Sequence, residues 1–224
     1  MRSWSIDTYL DRLAARHPTP AGAAVAALNL AQGAALLEMV ARCRLEPDHA
    51  AGVIARAKDV REAALRLADA DAGLVDVVAT AYALPRSGDA ERAQRAAAIA
   101  DALLAAAGPP AELVTIGAEL VGLCEQMAEV GSGALLADVA AAADAAAAGL
   151  SISRTNVEAD IGARRDTAEA ERLRAAVGSV DDLLRRAAQV RDGIRAALEG
   201  AHSAGRTQRG DDQASSPSTW NARA

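Results

Sequence analysis

Apolar positions recur along most of this chain in alternating steps of three and four, the spacing of one face of an α-helix. In the clearest run, Val53, Ala57, Val60, Ala64, Leu67, Asp71, Leu74 and Val78, a single station is charged. The spacing aims Asp71 where its neighbours point, into the core. An ionised carboxylate there is costly unless it is paired or lines a polar cavity. Two readings follow: a structural hydrogen-bond network, or a pKa-shifted acid/base group at a ligand site. Asp69 lies two positions back, roughly 200° around the helix, and is expected to face solvent with Lys58 and Glu62.

The same periodicity lays out the other elements. Ile6, Leu10 and Leu13 predict a short docking helix over 5–16, broken by His17-Pro18-Thr19-Pro20. Thr19 as N-cap and Pro20 at the first helical position would then open an Ala-rich helix to about residue 44. The Asp71 helix is expected over 50–82 and the next over 90–107, ended by Gly108-Pro109-Pro110. Leu113, Ile116, Leu120, Leu123, Met127 and Val130 form an unbroken apolar face. A long segment follows over 134–165, then a last amphipathic helix with Leu173, Val177, Leu184 and Val190 inward. From residue 200 the composition turns to Gly, Ser, Gln, Asp and Arg, which reads as a disordered tail, 200–224. The expected architecture is one all-α domain over 1–199, a bundle of about six or seven helices.

Composition sharpens this. The chain is 51% hydrophobic but 2% aromatic, without phenylalanine, so alanine does most of the filling. Alanine is the best helix former, and strand-favouring residues are sparse; helices that approach closely follow. A net charge of −6 argues against general nucleic-acid affinity. Cys43 and Cys124 lack metal-site spacing and read as small core residues in a reducing compartment. The stretch 21–40 has the length of a membrane span, yet Asn29, Gln32 and Glu38 interrupt it, so a buried bundle helix is expected and no membrane partner. No secretory signal pattern opens the chain, and a cytoplasmic location is expected.

Candidate chemistry is concentrated in few places. Asp138 and Asn156 are 18 residues apart, five helical turns, so they share an angular position, with Ala142, Ala145 and Gly149 between them. In one helix they stand roughly 27 Å apart; they would serve two ends of a long ligand or two sites across a dimer. The structural alternative is a helix cap at Asp138 and a core hydrogen bond at Asn156. Gly22 would let a helix N-terminus approach an anion, or would serve close packing. Arg86 stands in a turn where it would pair with a carboxylate or with water. The three histidines are scattered, and no catalytic triad, phosphate loop or zinc spacing is present.

Pro18-Thr19-Pro20-Ala21-Gly22-Ala23-Ala24-Val25-Ala26-Ala27, Leu67-Ala68-Asp69-Ala70-Asp71-Ala72, Ala83-Leu84-Pro85-Arg86, and Gly131-Ser132 through Asp138 to Asn156-Val157-Glu158-Ala159-Asp160 occur in order at suitable separations. Together they resemble the cyclodeaminase/cyclohydrolase family, over about residues 5 to 200. That family includes the C-terminal half of formiminotransferase-cyclodeaminase and stand-alone methenyltetrahydrofolate cyclohydrolases. The resemblance implies an all-helical homodimer acting on a tetrahydrofolate derivative as substrate, without metal. The reaction implied is ring closure of 5-formiminotetrahydrofolate with loss of ammonia, or hydration of the 5,10-methenyl form to 10-formyltetrahydrofolate. It puts the catalytic acid in the Asp69-Ala70-Asp71 motif, and the helical stripe independently favours Asp71 as its inward member, with Asp69 in support. Gly22, Arg86, Ser132, Asp138, Asn156 and Asp160 are the implied substrate-binding positions, Arg86 standing where the family often has lysine.

The sequence departs from the family pattern at several of these places. A glycine triplet followed by serine appears as Ala21, Gly22, Ala23 and Ala24; Gly-Asn appears as Gly131-Ser132; the serine before Asp138 is Ala137; the second asparagine is Asp160. Each lost hydrogen bond typically costs about 0.5–1.5 kcal/mol of ligand orientation. Two functions therefore stay open: a folate one-carbon enzyme using Asp71 as general acid/base, or a catalytically degenerate helical dimer that binds folate or serves as an interaction module.

Overall fold

The computed structural model describes residues 3–130, 133–163 and 167–214, the side chains of 134, 163 and 201–214 excepted. Among the described residues the secondary structure is helical throughout. Six helices of 18 residues or more, α2 (Gly22–Arg44), α3 (Pro47–Tyr82), α4 (Asp89–Ala106), α5 (Gly108–Val130), α6 (Leu136–Asp160) and α8 (Val180–Ala214), are joined by two short ones, α1 (Ile6–Ala14) and α7 (Ala168–Val177). The all-α bundle read from the sequence is the fold observed. Of the tail expected over 200–224, the backbone of residues 200–214 continues helix α8, and residues 215–224 lie outside the described residues.

Helix α2 is the axis of the bundle, packed against α3, α5 and α6, while α8 closes over α5 and α6. Its burial runs almost all round, through Ala26, Ala27, Leu30, Ala34, Leu37 and Ala41, as expected of a helix enclosed by neighbours. Three stretches, α2, α4 with α5, and α6, are long and apolar enough by length and composition to cross a membrane; here α2 forms the centre of the core. Small residues set the spacing. A Cβ on Gly149 of α6 would lie 2.7 Å from Leu30 Cδ2 and 3.0 Å from the Ala26 carbonyl oxygen, and one on Gly33 of α2 would lie 3.0 Å from the Ala142 carbonyl oxygen. Gly117 of α5 takes the Leu150 side chain in the same way, at 2.7 Å from the missing Cβ.

Ion pairs then fix the outer helices. Arg186 of α8 grips Glu125 of α5 with two bonds of 2.7 Å, the bidentate geometry that suits a guanidinium. Glu38, buried in α2, accepts from Arg61 of α3 at 2.7 Å and lies 3.6 Å from Arg42. Arg56 of α3 reaches Glu119 and Gln126 of α5 at 2.6 and 3.1 Å.

Several local expectations are corrected. Thr19 is not the cap of α2: the N-cap is Ala21, without a side-chain hydrogen bond, and the Thr19–Pro20 peptide is cis. Pro109 and Pro110 begin α5 instead of only ending α4, because the first helical turn has no use for their missing N–H groups. The last amphipathic segment is two helices, divided at Gly178-Ser179, where the Gly178 N–H bonds back to the Ala175 carbonyl. Cys124 is buried but Cys43 is exposed, being on the last turn of α2 where its neighbours no longer surround it. Helix α1 is capped by Ser5, whose Oγ accepts from the Thr8 N–H at 3.1 Å. Its apolar face is only partly covered within the chain: Tyr9 and Leu13 are half-buried, while Ile6 is 77% and Leu10 52% exposed.

The close approach of α2 and α6 has a stability consequence. Gly149→Ala is expected to cost about 1–3 kcal/mol by overpacking against Leu30. Gly122→Ala, in helix α5 with nothing within 4 Å of the new Cβ, is expected to gain about 0.5–1 kcal/mol from helix propensity. Urea denaturation of the two variants measures both signs.

Candidate active site

Asp71 opens the last third of α3, 7% exposed, on the face where the earlier stations Val53, Ala57, Val60 and Ala64 are buried in the core. Its position follows from the helical period that the sequence displays. Beside it opens a cleft of about 220 Å³, walled by Ala68, Asp69 and Ala72 of α3, by Pro20 and Ala24 at the start of α2, and by Trp4, Arg12, His17 and Thr19 of the N-terminal segment. Burial raises the Asp71 carboxyl to about 6, because a poorly solvated site penalises the charged form. Asp69 is exposed yet lines the same cleft, so the two members of the motif divide as the spacing predicts, one inward and one at the solvent edge.

A third carboxylate is close. Asp160, half-buried at the last position of α6, is raised to about 6 by burial first and by the charge of Asp71 second. One turn earlier on the same face, Asn156 packs on Gly22: a Cβ there would lie 3.2 Å from Asn156 Nδ2 and 3.3 Å from Oδ1. Gly22 therefore serves close approach at this point, and a methyl would push the amide away. The amide also donates to the Ile152 carbonyl oxygen at 2.9 Å. The end of α6 thus touches the first turn of α2, whose Ala24 lines the cleft beside Asp71 of α3.

Asp71 and Asp69 share the cleft, Gly22 and Asn156 touch each other, and Asp160 lies within reach of the charge of Asp71. Asp138 and Arg86 stand apart. Asp138 is in the first turn of α6, whose N-cap Leu135 makes no side-chain cap bond, and it is separated from Asn156 by roughly 27 Å of helix. Arg86 lies exposed in the turn between α3 and α4, beyond the end of α3 at Tyr82. Ser132 is outside the described residues. Sequence reasoning passed over Trp4, Arg12, His17 and Thr19. Their signal was weak: the guanidinium of Arg12 stacks 4.3 Å from the Trp4 ring centroid and His17 Nδ1 lies 3.0 Å from the Thr19 carbonyl oxygen, contacts that depend on how the segment before α2 folds back.

With this geometry in hand, comparison with known proteins is consistent across sequence and fold. The model of the formiminotransferase-cyclodeaminase family matches residues 5–179, and the chain belongs to that family. A methenyltetrahydrofolate cyclohydrolase of Methylorubrum extorquens is 35% identical over 174 residues, which span 75% of this chain and 84% of that protein. A formiminotetrahydrofolate cyclodeaminase of Thermotoga maritima, known from its crystal structure, shares the fold with a TM-score of 0.73 at 24% identity, over 86% of this chain and 98% of the other.

The raised carboxyl of Asp71 carries a sign for stability. Its folded pKa, about 6, exceeds the ordinary value near 3.9. Protonation therefore favours the fold: the contribution is fully present below about pH 4 and is lost as pH rises through about 6. Asp71→Asn is expected to stabilise the protein by on the order of 2–3 kcal/mol at pH 7.5, and the difference should vanish by pH 4. Urea midpoints of both proteins across that range check the sign.

Proposed function

We propose that this protein is a methenyltetrahydrofolate cyclohydrolase, hydrating the 5,10-methenyl bridge to give 10-formyltetrahydrofolate, with Asp71 as general acid/base and Asp69 in support. The observation that carries the reading is Asp71, buried, raised into the near-neutral range and open to a cleft. A carboxyl titrating near working pH is suited both to taking a proton from water and to returning one to a ring nitrogen. The curated relative at 35% identity bears the cyclohydrolase name, which favours this substrate over the formimino compound.

The size of the site supports a divided ligand. A cleft of about 220 Å³ suits a ring system, below the roughly 300 Å³ at which pockets enclose whole drug-sized ligands. Beyond Trp4, which lines both, lies an apolar groove of about 530 Å³ with Tyr9, Leu28 and Leu65 in its walls. The reacting end would enter the cleft and the aromatic body would lie along the groove. Asn156 and Asp160 would orient the reacting end. Asp138, at the far end of α6, and Arg86, in the turn after α3, stand too far away to join it within one chain, and would reach a substrate bound to a second copy. Sedimentation equilibrium giving a monomer mass at micromolar concentration would remove such a homodimer.

One observation favours a second reading. Ala24 presents a methyl to the cleft where the family resemblance leads one to expect a hydroxyl, as in a folate binder without turnover. Loss of the near-ultraviolet absorbance of 5,10-methenyltetrahydrofolate separates the two. Wild type is expected to accelerate that loss over a no-protein control, and Asp71→Asn to lower kcat by about 100-fold or more while circular dichroism stays unchanged. No acceleration by wild type, with folate binding retained, would leave the binder.

A further inference from the structure

Helix α2 begins in the interior of the protein without a cap. Its first hydrogen bond runs from the Val25 N–H to the Ala21 carbonyl oxygen, 3.2 Å, and no side chain bonds the turn that precedes it. Among the described residues the N–H groups of Gly22, Ala23 and Ala24 therefore have no acceptor. Such an open end is ordinary where water covers it. Here Pro20 is buried and Ala23 and Ala24 are only 4% and 2% exposed, and a backbone N–H withdrawn from water without a partner is costly.

Pro20 and Ala24 both wall the Asp71 cleft, so the open end of the helix gives on to it. A second group there is equally unmatched. The buried carboxyl of Asp71 has no hydrogen bond or ion pair among the described residues. Free donors on α2 and a free acceptor on α3 thus border one cavity of about 220 Å³ without bonding each other. A small oxygen-bearing group held between them would satisfy both.

We propose that the first turn of α2 is an oxyanion hole, whose backbone N–H groups, that of Ala24 first, receive the oxygen that water adds to the substrate carbon. Resting on the cyclohydrolase reading, these donors supply what a carboxyl cannot. Asp71 as carboxylate takes a proton from water as the water oxygen bonds to the methenyl carbon, and the cationic bridge becomes a neutral hydroxy adduct. The hydroxyl then loses its proton to solvent and negative charge gathers on its oxygen. Donors already fixed beside that oxygen stabilise it without reorganising, and the positive end of the helix dipole adds to them. As the formyl carbonyl forms, the carbon–N5 bond breaks and Asp71 returns its proton to N5. The count closes with one proton released. Because the donors belong to the backbone, a methyl at Ala24 in place of a hydroxyl leaves them intact.

Cys43 allows the whole chain to be assembled by ligating a synthetic peptide of residues 1–42 to the fragment 43–224. Lactic acid in place of Ala24 then turns one N–H into an ester oxygen and keeps the methyl. The all-amide chain made in the same way is the control, and circular dichroism checks both folds. The ester is expected to lower kcat for 5,10-methenyltetrahydrofolate by about 100-fold with little change in KM. An ester chain as fast as its control overturns the oxyanion hole and keeps the cyclohydrolase. Separately, ¹⁵N-labelled wild type is titrated with 10-formyltetrahydrofolate, whose formyl oxygen is the one at issue. The amide protons of Ala23 and Ala24 are expected to move downfield; protons that stay in place overturn the proposal. A downfield move in a protein without turnover keeps the donors and removes the cyclohydrolase. An ester chain that does not fold leaves the spectra to decide.

Discussion

The approach of α2 to α6 is the constraint on which the rest depends. The helices touch backbone to side chain because Gly22, Gly33 and Gly149 leave out the atoms that would hold them apart. Dispersion and burial reward such contact only at close range, so an alanine- and glycine-rich pair without large aromatic side chains gains its stability by proximity. The same proximity brings the C-terminal end of α6 to the first turn of α2. The position of Asn156 against Gly22, and of Asp160 one turn on, is a by-product of how the core packs.

That packing also explains why the acidic site is tolerated. Asp71 occupies a core station on α3, yet it lies where the N-terminal segment, through Pro20 and Thr19, leaves a cleft instead of a filled interface. Deeper in the bundle an unpaired carboxylate would have to be matched, as Glu38 is by Arg61 and Arg42. The contrast between these two buried acids is informative. Glu38 is neutralised by arginines and ties α2 to α3; Asp71 has a cavity and a second carboxylate as its surroundings, which cost stability and are expected where chemistry is done. Membership of the formiminotransferase-cyclodeaminase family fits a site of that kind.

Much of this was legible beforehand because the helical period is a local property. The inward direction of Asp71 and the outward direction of Asp69 came from counting residues around a helix, and so did the shared face of Asp138 and Asn156. Less was legible where two segments remote in sequence had to meet. The docking of α1 was expected from Ile6, Leu10 and Leu13; Leu13 is half-buried but Ile6 and Leu10 stay exposed, because amphipathicity states that a face wants cover and not that this chain supplies all of it. The cap of α2 was misread at Thr19 for a related reason: a favourable residue type does not fix where the backbone enters a helix. Trp4, Arg12 and His17 carried no pattern of their own.

By itself, then, the order of residues determined the helical class, the helix faces, the inward acid and the kinship to a family, since each depends on neighbours within a few turns or on motifs in series. Tertiary structure alone decided that Asp160 stands close enough to feel the charge of Asp71, that Asn156 rests on Gly22, and that Asp138 and Arg86 stay remote. Those are relations between helices, set by how closely their small side chains let the backbones approach, and no periodicity within one helix contains them.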